Sequence, residues 1–201
     1  MRTTDQQAAA LGTRERIVRT TARLLQRQGY EGTGIKQIAR EAGATLGSVY
    51  HFFPGGKQEL AVAAIQHGDQ EFAELLREGL AAEDDPAEAI AGCTRLLAAA
   101  LRESGWAEGC PVTATALETL GTSADIQRAC GAAFGHWSEL VAEKLRTAGL
   151  AEEDARALAI TVINTLEGAE TTAQVLRSEE PLLLAGRHLA MLVHAHRQGA
   201  P

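Results

Sequence analysis

An all-α chain is expected from three features of this 201-residue sequence. Alanine and leucine dominate, while aromatic residues make up only 4%, a balance that favours helices over sheets. Apolar residues recur at three- and four-residue spacing, and no segment shows the strict alternation of a half-buried strand. Glycine, proline and capping residues punctuate the pattern into nine helical segments. Hydrophobic content of 45% is enough to bury a core.

The first helix is predicted over Thr13 to Gln28, with Thr13 as N-cap and Gly29 closing it. Ile17, Thr21, Leu24 and Leu25 form its inward stripe, and Tyr30 packs just beyond. Before it, residues 1–11 are polar and alanine-rich and read as a mobile arm. Thr33 is placed to cap a second, short helix carrying Ile35, Ile38, Ala39 and Ala42, which stops at Gly43. A third short helix follows from Leu46 to Phe52. Two helices this short are marginal alone and need a third behind them, the arrangement of a helix-turn-helix.

Phe53-Pro54-Gly55-Gly56 breaks the chain, and a long connecting helix is expected from about Lys57 to Leu80, with Gly68 as its weak point. Asp85 as N-cap, Pro86 at the first helical position and Glu88 three residues on open the next helix, which runs to about Arg102. After a break at Ser104 to Pro111 come a short helix over Val112 to Thr119 and a longer one from the Ser123 cap to about Ala148. Glu152, Glu153 and Asp154 suit the positive end of a helix reaching about Arg177. Glu180-Pro181 starts the last, which ends near His196.

Charge divides along the chain. Residues 1–60 hold nine Lys/Arg against five Asp/Glu, and residues 61–201 hold ten against 21, within a net charge of -7. A basic head on an acidic body points to a nucleic-acid-facing segment over 1–56 and a separate task for 57–201. Cys93, Cys110 and Cys130 are odd in number and lack CxxC or zinc spacing, so neither a disulfide framework nor a metal site nor any cofactor is expected. Charged residues interrupt every apolar run, and no signal-like stretch opens the chain, so a cytoplasmic protein without a membrane partner is expected.

Within the head, Ile17-Val18, Leu24, Gly29-Tyr30, Thr33, Ile38-Ala39, Ala42-Gly43, Gly47-Ser48, Tyr50-His51-Phe52 and Lys57 to Leu60 are similar to the motif of TetR-family transcriptional regulators. Phe53-Pro-Gly-Gly-Lys57 and Gly109-Cys-Pro-Val112, followed by Ala116-Leu117-Glu118, resemble the LmrA/YxaF-type subgroup. The resemblance implies a nine-helix homodimer that represses transcription and leaves its DNA when a small molecule binds. A flavonoid-like, hydrophobic or aromatic effector is the subgroup's suggestion. One departure stands out: Leu46 occupies a position where the family commonly has a basic or polar residue.

The residues expected on double-stranded DNA are Thr33 and Lys36 at the flanking backbone, Thr45, Leu46, Gly47, Ser48, Tyr50 and His51 on the third helix, and Lys57 beyond it. Hydroxyls, ring-edge donors and an ammonium suit phosphate, and Leu46 suits a thymine methyl. Phe53 and Phe52 are expected to pack, and Arg40 to be solvated. In the body, Leu158, Ile160, Val162, Ile163 and Leu166, with Leu182, Leu189, Leu192 and Val193, suggest a dimer built on the last two helices. Phe72, Trp106, Cys110, Thr113, Leu117, Phe134, Trp137, Asn164 and Glu167 are the candidate effector residues, with Glu118 and Glu167 as the acids expected inside. An enzyme using Cys110, a histidine and Glu118 is the rival class. His194 and His196 point to opposite faces, and no nucleophile elbow, P-loop or dinucleotide fingerprint is present, so the chain is not expected to be an enzyme. A DNA binder without an effector is the second alternative, against which the size of the body argues.

Overall fold

The computed structural model describes residues 11–197. The expected arm over residues 1–11 therefore lies, apart from Leu11, outside the described residues. Nine helices and no strands occur among the described residues. They are α1 (Thr13–Gly32), α2 (Ile35–Glu41), α3 (Leu46–Phe52), α4 (Gly56–Ala81), α5 (Pro86–Glu103), α6 (Pro111–Thr119), α7 (Ala124–Thr147), α8 (Glu152–Leu176) and α9 (Glu180–Arg197). None of these helices is long and apolar enough to cross a membrane.

The helices fall into two compact units that do not follow chain order. One takes the chain up to Gly68 together with Pro111–Cys130, and the other takes Asp69–Cys110 with Gly131–Pro201. The first unit is closed by a small core in which Ile17, Val18 and Leu24 of α1 meet Ile38 and Ala39 of α2, Val49 of α3, Phe53 at the end of α3, and Leu60 of α4. Phe53 is buried as expected and Phe52 packs at the core's edge. Tyr30 packs on a smaller group formed by Ala22, Leu25 and Ala64.

Three cap assignments differ from the sequence reading. Gly12, not Thr13, is the N-cap of α1, and Gly34, not Thr33, is the N-cap of α2. Thr33 instead ends α1: it is 1% exposed and its hydroxyl donates to the Gly29 carbonyl at 2.6 Å. Gly29 interrupts α1 with φ 72, and one further turn follows it. A left-handed residue there would be costly for anything but glycine. Gly68, the expected weak point of α4, is a site of close approach, since a Cβ would lie 2.6 Å from the Pro111 side chain.

In the second unit α9 packs along α5 and α8. Asp85 caps α5 as its sequence implies, accepting from the Ala87 N–H at 2.9 Å. Leu182, Leu189 and Val193 of α9 and Leu158, Val162, Ile163 and Leu166 of α8 are buried within the chain. Ile160, Val175 and Leu176 of α8, and Leu183 and Met191 of α9, remain exposed.

Candidate nucleic-acid interface

The helix α3 is held from one side and open on the other. Val49, fully buried, anchors it to the core, while Thr45, Leu46, Gly47, Tyr50 and His51 are exposed and Ser48 is half-buried. The Thr45 hydroxyl accepts from the Ser48 N–H at 3.0 Å and sits 2.9 Å from the Ser48 hydroxyl, an N-cap that fixes the leading end of α3. Tyr50 is 50% exposed and Leu46 is 41% exposed, so both present surface on the open side of α3. The His51 ring meets Phe52 edge-on, 5.0 Å between centroids.

Basic groups stand around this helix. Lys36 of α2 is exposed. Lys57, in the first turn of α4, holds its ammonium 4.3 Å from the centroid of the Tyr30 ring and reaches the Glu31 carbonyl at 3.5 Å. The Arg14 guanidinium lies 5.2 Å from the centroid of the Phe53 ring, and Arg16 donates to the Ala42 carbonyl at 3.2 Å, tying α1 to the turn after α2. Of the expected DNA-facing residues, all but Thr33 present at least part of their surface. Thr33 is enclosed, so only its neighbours can meet a flanking backbone.

The candidate effector residues of the second unit fall into more than one group. Phe72, Phe134 and Trp137 do come together: Trp137 is fully buried, with Phe72 at 4.4 Å and Phe134 perpendicular at 5.4 Å between centroids. The Trp137 indole N–H donates to the Asp69 carbonyl at 3.2 Å, and the Asp69 carboxylate holds His136 at 2.8 Å. Asn164 is exposed, and Leu117 is 67% exposed, so neither points into the chain's interior. Thr113 and Trp106 are half-buried, the latter in a left-handed turn with φ 66. A cavity of about 580 Å³ opens between α5 and α9, lined by Thr94, Arg95, Leu183 and Arg187 among others, and none of the candidate effector residues lines it.

The interior acids also differ from expectation. Glu167 is buried, but Glu118 is exposed and accepts a hydrogen bond from the Glu31 N–H at 2.7 Å. Glu170, which sequence reasoning missed, is 7% exposed. Burial, reinforced by the charge of Glu167, pushes its carboxyl up to about 8. Cys110 lies beside both: its sulfur and one carboxylate oxygen of each glutamate are all within 4.8 Å of one another. The i, i+3 spacing of Glu167 and Glu170 was the available signal, but Cys110 is far away in sequence. Cys93 and Cys130 are buried, their thiols pushed up to about 12 and about 11 chiefly by that burial.

Comparison with known proteins places this geometry. Residues 17–64 match the family model for bacterial regulatory proteins of the tetR family. Residues 86–188 match the model for the C-terminal domain of LmrA/YxaF-like transcriptional regulators. The HTH-type transcriptional regulator YxaF of Bacillus subtilis is 36% identical over 180 residues, covering 90% of this chain and 94% of the relative. The HTH-type transcriptional regulator LmrA of the same organism is 35% identical over 170 residues, covering 85% and 90%. Among solved structures, a regulatory protein TetR from Rhodobacter sphaeroides superposes with a TM-score of 0.80 at 25% identity, covering 89% of this chain and 97% of that one. A TetR transcriptional regulator from Chloroflexus aurantiacus superposes with a TM-score of 0.77 at 29% identity, covering 94% and 96%. These relatives are transcription regulators rather than enzymes. The helix-turn-helix, the nine helices and both family matches agree, and the chain belongs to the TetR family of DNA-binding transcriptional regulators, in its LmrA/YxaF-like branch.

Proposed function

We propose that this regulator is a cytoplasmic homodimeric repressor that binds a near-palindromic operator and is released by a small hydrophobic or aromatic effector. Residues 1–56 act as the DNA-binding domain and 57–201 as the effector-binding and dimerisation domain. The observation that carries the DNA role is α3 itself, with a buried anchor at Val49 and exposed Thr45, Leu46, Tyr50 and His51. A two-fold dimer would set two such helices on two half-sites.

Thr45, Gly47, Ser48, Tyr50, His51, Lys36 and Lys57 are assigned to phosphate and base edges, and Leu46 to a thymine methyl. Support for a dimer through α8 and α9 comes from Ile160, Val175, Leu176, Leu183 and Met191, apolar side chains that a single chain leaves exposed. The aromatic group of Phe72, Phe134 and Trp137 supports a flat apolar effector, since half-buried Phe72 and Phe134 leave ring surface for stacking. Selection of binding sites from random DNA, followed by release with a panel of flavonoids and other aromatic compounds, tests this reading. An enriched inverted repeat released by one of them supports it, and enrichment with no ligand able to release it favours the effector-free alternative.

A further inference from the structure

The turn that follows Gly29 is met from two sides by residues far apart in sequence. Gly29, with φ 72, interrupts α1 just ahead of Tyr30 and Glu31. Glu118 of α6 accepts the Glu31 N–H at 2.7 Å. At the far end of the turn the Thr33 N–H donates to the Tyr30 carbonyl at 3.1 Å, and the Thr33 hydroxyl donates to the Gly29 carbonyl at 2.6 Å. Lys57 of α4 meets the same two residues, its ammonium 4.3 Å from the centroid of the Tyr30 ring and 3.5 Å from the Glu31 carbonyl. Glu31 is thus held at its N–H by α6 and offers its carbonyl to α4. All of these residues lie within one compact unit.

A lysine ammonium rides on a flexible four-carbon stem and loses rotamer freedom when it meets a phosphate. A ring face and a carbonyl that set the stem beforehand remove part of that loss. Tyr30 packs on Ala22, Leu25 and Ala64, so its ring is a fixed surface. The backbone beside it depends on Glu118. A Cβ at Gly29 would collide with the Glu118 carboxylate, so glycine is what lets that carboxylate reach the turn.

We infer that Glu118 is a positioning residue for DNA binding: it touches no DNA, and it fixes the Tyr30–Glu31 turn on which Lys57 is poised. The inference rests on the assignment of Lys57 to phosphate. Charge and positioning predict opposite signs when Glu118 is removed. A carboxylate near a phosphate contact weakens DNA binding through its charge, so losing the charge alone would tighten binding. Losing the hydrogen bond to Glu31 would loosen it.

The test measures fluorescence anisotropy of the full chain with a labelled duplex of random sequence, because a phosphate contact serves all sequences alike. Glu118→Ala should weaken binding by roughly two- to tenfold. Glu118→Gln, whose amide oxygen can still accept from the Glu31 N–H, should bind at least as tightly as wild type. In a Lys57→Ala background, Glu118→Ala should add no further loss. Glu118 is exposed, so circular dichroism should show every variant folded. Tighter binding by Glu118→Ala would mean that its charge alone acts, and overturns the inference. Equal losses in the Ala and Gln variants, or a loss that persists without Lys57, overturn it as well. If Lys57→Ala leaves the salt slope unaltered, the phosphate assignment falls and the inference falls with it. If the slope flattens while Glu118→Ala binds like wild type, the inference alone is wrong.

Discussion

Glu118 of α6 reaches the Glu31 backbone, accepting its N–H at 2.7 Å across 87 residues of sequence. The bond exists because Gly29 breaks α1, leaving the N–H groups of the following turn without helical partners. The same carboxylate occupies the space where a Gly29 Cβ would be. A break in one helix is thus satisfied by a side chain of another.

Gly29→Ala should therefore cost about 2–3 kcal/mol, from its left-handed φ and from the collision with Glu118. Glu118→Ala alone should cost about 1 kcal/mol for the lost bond. In a double-mutant cycle read by urea denaturation, the pair should lose less than the sum, because removing Glu118 relieves the collision. Strict additivity would mean that the two residues do not meet.

Lys57→Ala should weaken binding to all DNA sequences alike and flatten the dependence of log affinity on log salt by about one unit. Leu46→Ala should instead change preference at one position of the half-site, by about 1–3 kcal/mol, with the salt slope unaltered. Fluorescence anisotropy at several salt concentrations separates the two outcomes. An unchanged slope for Lys57→Ala would remove the phosphate role.

The buried thiols give a test with a pH sign. Cys93 and Cys130 are held as thiols by burial, so a disulfide reagent at pH 8 should modify one cysteine per folded chain, Cys110, and three after denaturation. The folded Cys93 pKa, about 12, lies above its ordinary value of 9.0. Its contribution to stability is therefore complete below about pH 9 and is lost as pH rises towards 12. Cys93→Ala should flatten the fall in stability across that alkaline range. Rapid labelling of two or more thiols in the folded chain would contradict the burial.

Leu183→Glu combined with Met191→Glu should leave the fold intact and produce monomers at micromolar concentration, since both side chains are exposed on α9 of the single chain. Sedimentation velocity reads the result, and a dimer undiminished by both charges would place the interface elsewhere.

The short helices of the head were legible because local signals agree there: Gly43 stops α2, Thr45 caps α3, and Ile38 and Val49 face one core. Thr33 was misread because a threonine before a helix looks the same whether it caps that helix or closes the previous one. Its burial and its bond to the Gly29 carbonyl decide the matter, and they depend on the left-handed turn at Gly29. The body was legible as helices but less as a site. Trp137 with Phe72 and Phe134 is a long-range meeting of residues flagged singly. The i, i+3 spacing of Glu167 and Glu170 puts the two on one face of α8 but does not say that the face is interior, since exposed glutamates such as Glu153 stand on the same helix. Only tertiary packing makes it interior.

Operator reading by α3 is the step on which the proposed function depends. Its most direct measurement is the affinity of wild type and of a Tyr50→Ala, Lys57→Ala double variant for the DNA recovered by site selection, with helicity checked by circular dichroism. Tyr50 is exposed and Lys57 only half-buried, so the variant should stay helical. Wild type is expected to protect an inverted repeat and the variant to bind at least about tenfold more weakly. Equal affinity of the two proteins, or selection that yields no preferred sequence, would contradict it.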